Sequence, residues 1–387
     1  MIPGPVELSP AVLAAASAPP PSHVSPRFIE TFATCLERMR RVWQADAASQ
    51  PFVVAGSGTL AMEMAAANLI EPGDRALVLV SGYFSDRMAE ILRRNGAGVV
   101  TIEAPVGQAP AVDEVRAVLA RAPAKTPFKA LFATHVDTST GVRVDPEPLC
   151  RLAREAGALS VLDGVCATAG ERFEMAAWDA DVYFTASQKA IGMPPGLALL
   201  VTSERALAVR SERAARQAAP PPLYLDWNSW LPIHRAYEER KPSYFATPST
   251  SLVTALETAL GEILEHGIEA RIAAHAHAAA ALRNAWRALG LRSVPVSDAV
   301  TGNTLSVLLY PQGIDATLLP KIAARGVTVA GGLHPAVRTT SFRVGHMGYT
   351  VTRPDFLQKT VEAVAGALRE AGAEVDLESA VSALAQA

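Results

Sequence analysis

The sequence predicts an α/β fold: a mostly parallel sheet with helices on both faces, followed by a smaller C-terminal α+β domain. Three observations carry this expectation. Short apolar, β-rich runs alternate with helical stretches through the first two thirds of the chain, the pattern of repeated strand–helix units. From about Ser249 the texture changes to long helices with a few short strands. The chain has 387 residues, too many for one ordinary core, so two domains sharing an interface are expected.

The strand candidates are PFVVA (51–55), RALVLV (75–80), AGVVTI (97–102), KALFATH (129–135), ALSVLD (158–163) and DVYFTAS (181–187). Helical stretches lie between them at 59–70, 85–96, 112–122 and 145–157, several ending in Gly or followed by Pro-Gly. The segment 215–248 is rich in Pro, Trp and Tyr, too aromatic for a flexible linker, and is expected to pack against something. A helical pattern over 249–289, broken near Gly267, leads to LSVLLYP (305–311) and a helix near 315–325. VTVAGG, SFRVGH (341–346) and a final helix over 354–371 complete the smaller domain. No internal repeat or low-complexity tract is present beyond a mild Ala enrichment.

Composition narrows the function classes. Half the residues are hydrophobic and 19% are charged, which allows a large interior and burial against a second subunit. A net charge of −3 without a basic stripe argues against nucleic acid as a partner. Cys35, Cys150 and Cys166 are odd in number and too far apart for a metal knuckle, so no metal is expected and the thiols read as reduced. MIPGPVELSP lacks the charged and apolar regions of a secretory signal. Runs such as GLALLV (196–201) are too short for a membrane span. A soluble, cytoplasmic protein is expected.

Four features could carry chemistry. AGSGT (55–59) closes a strand and opens a helix, where glycines and unpaired N–H groups can receive an anion. A plain strand-to-helix turn with Thr59 as cap reads equally well, and no Lys follows to make a P-loop. Asp163 ends a strand, where ligands of open α/β sheets sit, and a carboxylate there can hold a pyridinium nitrogen protonated; helix capping is the alternative. Lys189, in ASQKAIGMPPG (186–196), lies 26 residues beyond Asp163, one helix and one strand further on. A buried lysine loses its proton readily and can form a Schiff base. Arg343 stands among apolar neighbours in SFRVGH, where its planar fork needs a carboxylate or phosphate, whether of a substrate or of an internal ion pair.

With these motifs in view, the sequence resembles the class V aminotransferases of the pyridoxal-phosphate (PLP) enzymes, most closely their alanine–glyoxylate branch. The likeness runs nearly end to end through PGP (3–5), AGSGT (55–59), SGYFSDR (81–87), THVDTSTG (134–141), LDGVCATAGE (162–171), TASQKAIGMPPG (185–196), YFATPST (244–250), AGG (330–332) and FRVGHMG (342–348). It implies PLP-dependent transferase fold type I. Residues 1–20 would be an N-terminal arm at the active site and interface, 21–250 the large PLP-binding domain and 251–387 the small C-terminal domain.

The resemblance also implies roles. Lys189 would bond the cofactor and shuttle the substrate's proton, and Asp163 would pair with the pyridine nitrogen. Phe84 by motif alignment, or Tyr83 otherwise, would stack on the ring, and Thr138 would lie near the phenolic oxygen. Ser57, Gly58, Thr59 and Gln188 would surround the phosphate, with Tyr244 and Thr247 arriving from the neighbouring subunit of a homodimer. Arg343, with Gly4 nearby, would hold the substrate carboxylate. Two departures from the pattern, Ala167 and Thr59, stand where relatives have Ser and an imidazole. The implied reaction moves the amino group of L-alanine to glyoxylate. A serine–glyoxylate or ureidoglycine–glyoxylate aminotransferase, or a PLP lyase of the cysteine desulfurase kind using Cys166, are the alternatives; Cys166 itself reads as a buried packing residue.

Overall fold

The computed structural model describes residues 1–385. Two helices precede the sheet, α1 (Pro10–Ser17) and α2 (Pro26–Val42), each capped by a serine hydroxyl and started by a proline. The strands are β1 (Gln50–Ala55), β2 (Arg75–Val80), β3 (Gly98–Glu103), β4 (Phe128–Thr134), β5 (Leu159–Asp163), β6 (Val182–Ala186) and β7 (Leu197–Thr202). Between and after them come α3 (Gly58–Leu69), α4 (Tyr83–Arg94), α5 (Val112–Ala120), α6 (Pro146–Glu155), α7 (Glu204–Ala215) and α8 (Trp227–Glu238).

The sheet order is β1-β7-β6-β5-β4-β2-β3, parallel from β6 to β3 and antiparallel where β7 meets β6 and β1. The apolar run at 196–201 is therefore a strand, not merely a hydrophobic stretch. All six residues of β7 are buried on both faces, which removes the alternation that would mark it. Elsewhere alternation sorts side chains between layers: Leu77 and Leu79 join one core, Val78 and Val80 the other.

Half of the aromatic segment packs on its own sheet. Trp227 of α8 stacks on Phe52 at 5.8 Å, and His234 Nε2 accepts the Val53 N–H at 3.0 Å. The helix thus covers the edge strand β1 and satisfies one of its free donors. Leu223 and Tyr244, in contrast, remain exposed.

The C-terminal part holds α9 (Thr250–His266), α10 (Ile268–Ala288), β8 (Leu305–Leu309), α11 (Leu318–Ala323), β9 (Ala330–Gly331), β10 (Ser341–Gly345), α12 (Pro354–Glu370) and α13 (Leu377–Ala385). Leu256 and Leu260 of α9 enter the large sheet's core beside Phe28 and Leu36, whereas Leu282 and Trp286 of α10 pack with Phe342 in a separate core. The second sheet is antiparallel, β8-β10-β9. A small cluster including Val136, Cys166, Ala167, Leu305 and Met347 fills the seam between the two cores. Ala167 is packed in this seam, fully buried.

The end of β5 is set by close packing. Tyr183 stacks on Phe173 at 3.7 Å and donates to or accepts from His135 Nδ1 at 2.9 Å. A Cβ on Gly164 would fall 2.2 Å from the Tyr183 ring. Gly164→Ala is therefore expected to cost about 1–3 kcal/mol, as overpacked sites do. The expected observation is a lower urea midpoint at unchanged slope; an unshifted midpoint would mean that the ring moves freely.

Candidate active site

The carboxyl ends of β4, β5 and β6 open onto a cavity of about 190 Å³ between the sheet, the start of α3 and the start of α4. Strand ends at a crevice of an open α/β sheet are where such folds place ligands.

One end of the cavity suits an anion. Ser57, Gly58 and Thr59 line it at the first turn of α3, which contains no acidic residue. The unpaired N–H groups and positive dipole end of a helix start favour negative charge. Ser57 is the N-cap residue but its hydroxyl makes no capping bond. Thr59 is not the cap either: its Oγ1 accepts from Arg87 at 3.1 Å. Gly58 is required by a close approach, since a Cβ would stand 2.9 Å from Val165. Gln188 lines the same space with a buried Oε1 that has no partner, and rotation of its amide would present N–H donors instead.

At the other end sits Asp163, 4% exposed, accepting from the Val165 N–H at 2.8 Å. Burial pushes its carboxyl up to about 7, against the opposing pull of that hydrogen bond. Phe84 forms a wall of the cavity, while Tyr83 lies behind it, edge-on at 5.4 Å. Thr138 is buried and also lines the space.

Lys189 enters from the loop after β6 and is 9% exposed. Its Nζ donates to the Pro3 carbonyl, and burial holds the amine below its ordinary pKa, with the nearby Arg343 charge acting in the same direction. Gly4 has φ +96°, and a Cβ there would meet the Lys189 chain at 2.6–2.9 Å. The arm is tied on both sides: Val6 N–H donates to the Gln188 carbonyl at 3.2 Å, and Gly345 N–H to the Met1 carbonyl at 2.8 Å.

Arg343, in the middle of β10, donates through Nε to the Gly331 carbonyl at 2.8 Å. Among the described residues no carboxylate lies within ion-pair distance, so the internal salt bridge considered above does not form. Cys166 is buried in the cavity wall and within 3.6 Å of the Thr304 hydroxyl. Tyr244 and Thr247 lie outside this cavity; Tyr244 is 63% exposed, its hydroxyl 3.4 Å from that of Thr247.

Three participants escaped the sequence reading. Arg87 follows Phe84 by three residues, so helical spacing alone puts both on one face. Asp137, fully buried, accepts from the N–H groups of Phe84 (3.0 Å) and Ser85 (3.2 Å) and from the Ser139 hydroxyl (2.6 Å), fixing the start of α4. The Pro3 carbonyl carried no signal, because a backbone acceptor is independent of residue type.

The residues present fit PLP. An anion cradle, an apolar ring face, a buried carboxylate and a buried amine share one space, and the unpaired Gln188 amide awaits a partner there. In the cofactor-free protein Asp163 ionises near 7, but in the unfolded chain near 3.8. Between those values the folded state binds more protons, so this group's contribution is full below pH 4 and is lost as pH rises to about 7. Asp163→Asn should flatten the fall of the urea midpoint over this range; an identical slope in the variant would contradict the raised pKa.

Known proteins resemble this chain in sequence and in fold. The sequence profile of the family Aminotransferase class-V matches residues 14–353. Alanine–glyoxylate aminotransferase 1 of Saccharomyces cerevisiae is 34% identical over 90% of this chain and 92% of its own. Serine–glyoxylate aminotransferase of Arabidopsis thaliana is 30% identical over 90% and 84%. The crystal structure of ureidoglycine–glyoxylate aminotransferase from Bacillus subtilis superposes with a TM-score of 0.90, 26% identical, over 100% of this chain and 96% of that one. The chain belongs to the class-V aminotransferases and is, with them, a PLP-dependent enzyme.

Proposed function

We propose that this enzyme passes the amino group of a small amino acid, L-alanine foremost, to glyoxylate, yielding pyruvate and glycine. One observation carries the reading: Arg343 stands close enough to Lys189 to lower its pKa and, among the described residues, has no carboxylate partner. That fork matches one substrate carboxylate bidentately, as a monocarboxylic amino acid and glyoxylate both require. The similarity to alanine–glyoxylate aminotransferase supports alanine as donor.

When bound, PLP supplies an electron sink for negative charge developing at the substrate's α-carbon. The chain's own residues do the rest. Lys189 would be the cofactor's covalent anchor, and its amine, which burial holds below its ordinary pKa, would take up the proton of the substrate's α-carbon and hand it back. Asp163 would pair with the ring nitrogen, Phe84 would offer its face, and Thr138 would lie at the phenolic edge; all three line the cavity. Ser57, Gly58, Thr59 and Gln188 would hold the phosphate, while Arg343 and the turn at Gly4 would orient the substrate. The arm over Lys189 keeps water from the reacting atoms. Thiol chemistry finds no support, since Cys166 is buried and no cysteine follows it.

The exposed Tyr244 and Thr247 fit a homodimer in which each chain completes its partner's phosphate site. Among the described residues no helix is long and apolar enough to cross a membrane, and three free thiols accord with a cytoplasmic setting.

Lys189→Ala should lose the visible absorption of lysine-bound cofactor and transamination together. Arg343→Gln should raise KM for alanine about tenfold to a hundredfold, the worth of a charge-assisted pair. With glyoxylate as acceptor, a donor panel should favour alanine; inert alanine beside fast serine or ureidoglycine would replace the donor and leave the chemistry. Mixing Lys189→Ala chains with Tyr244→Ala chains should restore activity through one intact shared site. No recovery in chains that demonstrably exchange would dismiss the shared site.

A further inference from the structure

We propose that Arg87 is the cationic partner of the cofactor's phosphate, completing from α4 the anion site that the start of α3 begins. This rests on PLP as cofactor and names the charge that holds it.

Arg87 lines the cavity at its anion end. One guanidinium nitrogen donates to Thr59 Oγ1 and another to the Tyr83 hydroxyl, both at 3.1 Å. Its central carbon stands 5.0 and 5.1 Å from the ring centroids of Tyr83 and Phe84. Both hydrogen-bond acceptors are neutral, and among the described residues Arg87 has no ion pair. A half-buried guanidinium facing an enclosed space without a counter-ion is a site for an anion.

Charge accounting identifies which anion. A phosphate monoester carries about 1.5–2 negative charges at pH 7. A helix start offers roughly half a positive charge. Ser57, Thr59 and Gln188 are neutral, as are Tyr244 and Thr247, which the partner would bring. Lys189 would be taken up by its bond to the cofactor. Without Arg87 the phosphate would meet no full positive charge; with it, the balance nearly closes. Asp137 pins the first turn of α4, so the stacking ring and the cation are delivered by one rigid helix end.

With Arg87 held by phosphate, Arg343 is the cation beside Lys189 left for the substrate's carboxylate.

The test compares pyridoxamine 5′-phosphate with pyridoxamine, neither of which bonds to Lys189, by calorimetry on the cofactor-free protein. Arg87→Met should weaken the phosphorylated ligand about tenfold to a hundredfold and leave pyridoxamine within about twofold. Arg87→Lys, keeping the charge, should recover part of the loss. Thermal unfolding of both variants reports their integrity, and partial rescue by lysine separates lost charge from lost packing. Equal losses for the two ligands, or none for the phosphorylated one, would overturn the assignment. Wild-type protein that binds both ligands equally would overturn the phosphate site itself, and with it the cofactor reading.

Discussion

Ionisable groups are buried together at the carboxyl edge of a sheet, and the rest of the molecule is arranged around that constraint. Asp163 is pushed up to about 7 by desolvation, and Lys189 and Arg343 are pushed down by the same cause. Each group is costly to bury without a partner. Asp163 and the Lys189 loop are held in place by two apolar layers on either face of a seven-stranded sheet, while Arg343 reaches them from the second sheet. The same desolvation that costs stability weakens the hold of Lys189 on its proton and strengthens that of Asp163.

The arm and the second sheet close this arrangement. Pro3 gives Lys189 a backbone acceptor, and Gly4 lets the arm touch the lysine chain without a clash. Gly345 performs the same service on the other side, since a Cβ there would strike the Ile2 carbonyl at 2.3 Å. The arm is thus clasped between the Lys189 loop and β10, the strand that carries Arg343. Movement of β10 relative to the large sheet would be felt at the lysine through this clasp. The apolar seam around Val136, Ala167 and Met347 holds the two parts together behind it.

Much of this was legible in the sequence because period and punctuation report directly on burial. The runs ending at Ala55, Val80 and Asp163 end as strands at those residues, and AGSGT does sit between a strand and a helix. Arg343 among apolar residues marked a guanidinium in need of an anion, with substrate and internal ion pair both open; among the described residues the ion pair does not form. What was hidden shares one feature: it depends on the backbone or on distant pairing. β7 is apolar on both faces and shows no alternation. Asp137 looked like one polar residue among several in THVDTSTG, although it accepts from two N–H groups at the start of α4. α1, α2 and α13 were passed over for want of a strong motif beside them.

The sequence by itself determined the order of elements, the α/β class, the membership of the family and the identity of the residues that meet at the strand ends. Those follow from residue type and spacing, which survive any folding. Only the tertiary structure decided that Phe84 and not Tyr83 faces the cavity, that Thr59 serves Arg87 instead of capping its helix, and that the Pro3 carbonyl reaches Lys189 across the whole N-terminal arm. These are matters of direction and of contacts between residues far apart in the chain. A linear pattern carries no record of either, because each is set by how layers pack, not by which residues they contain.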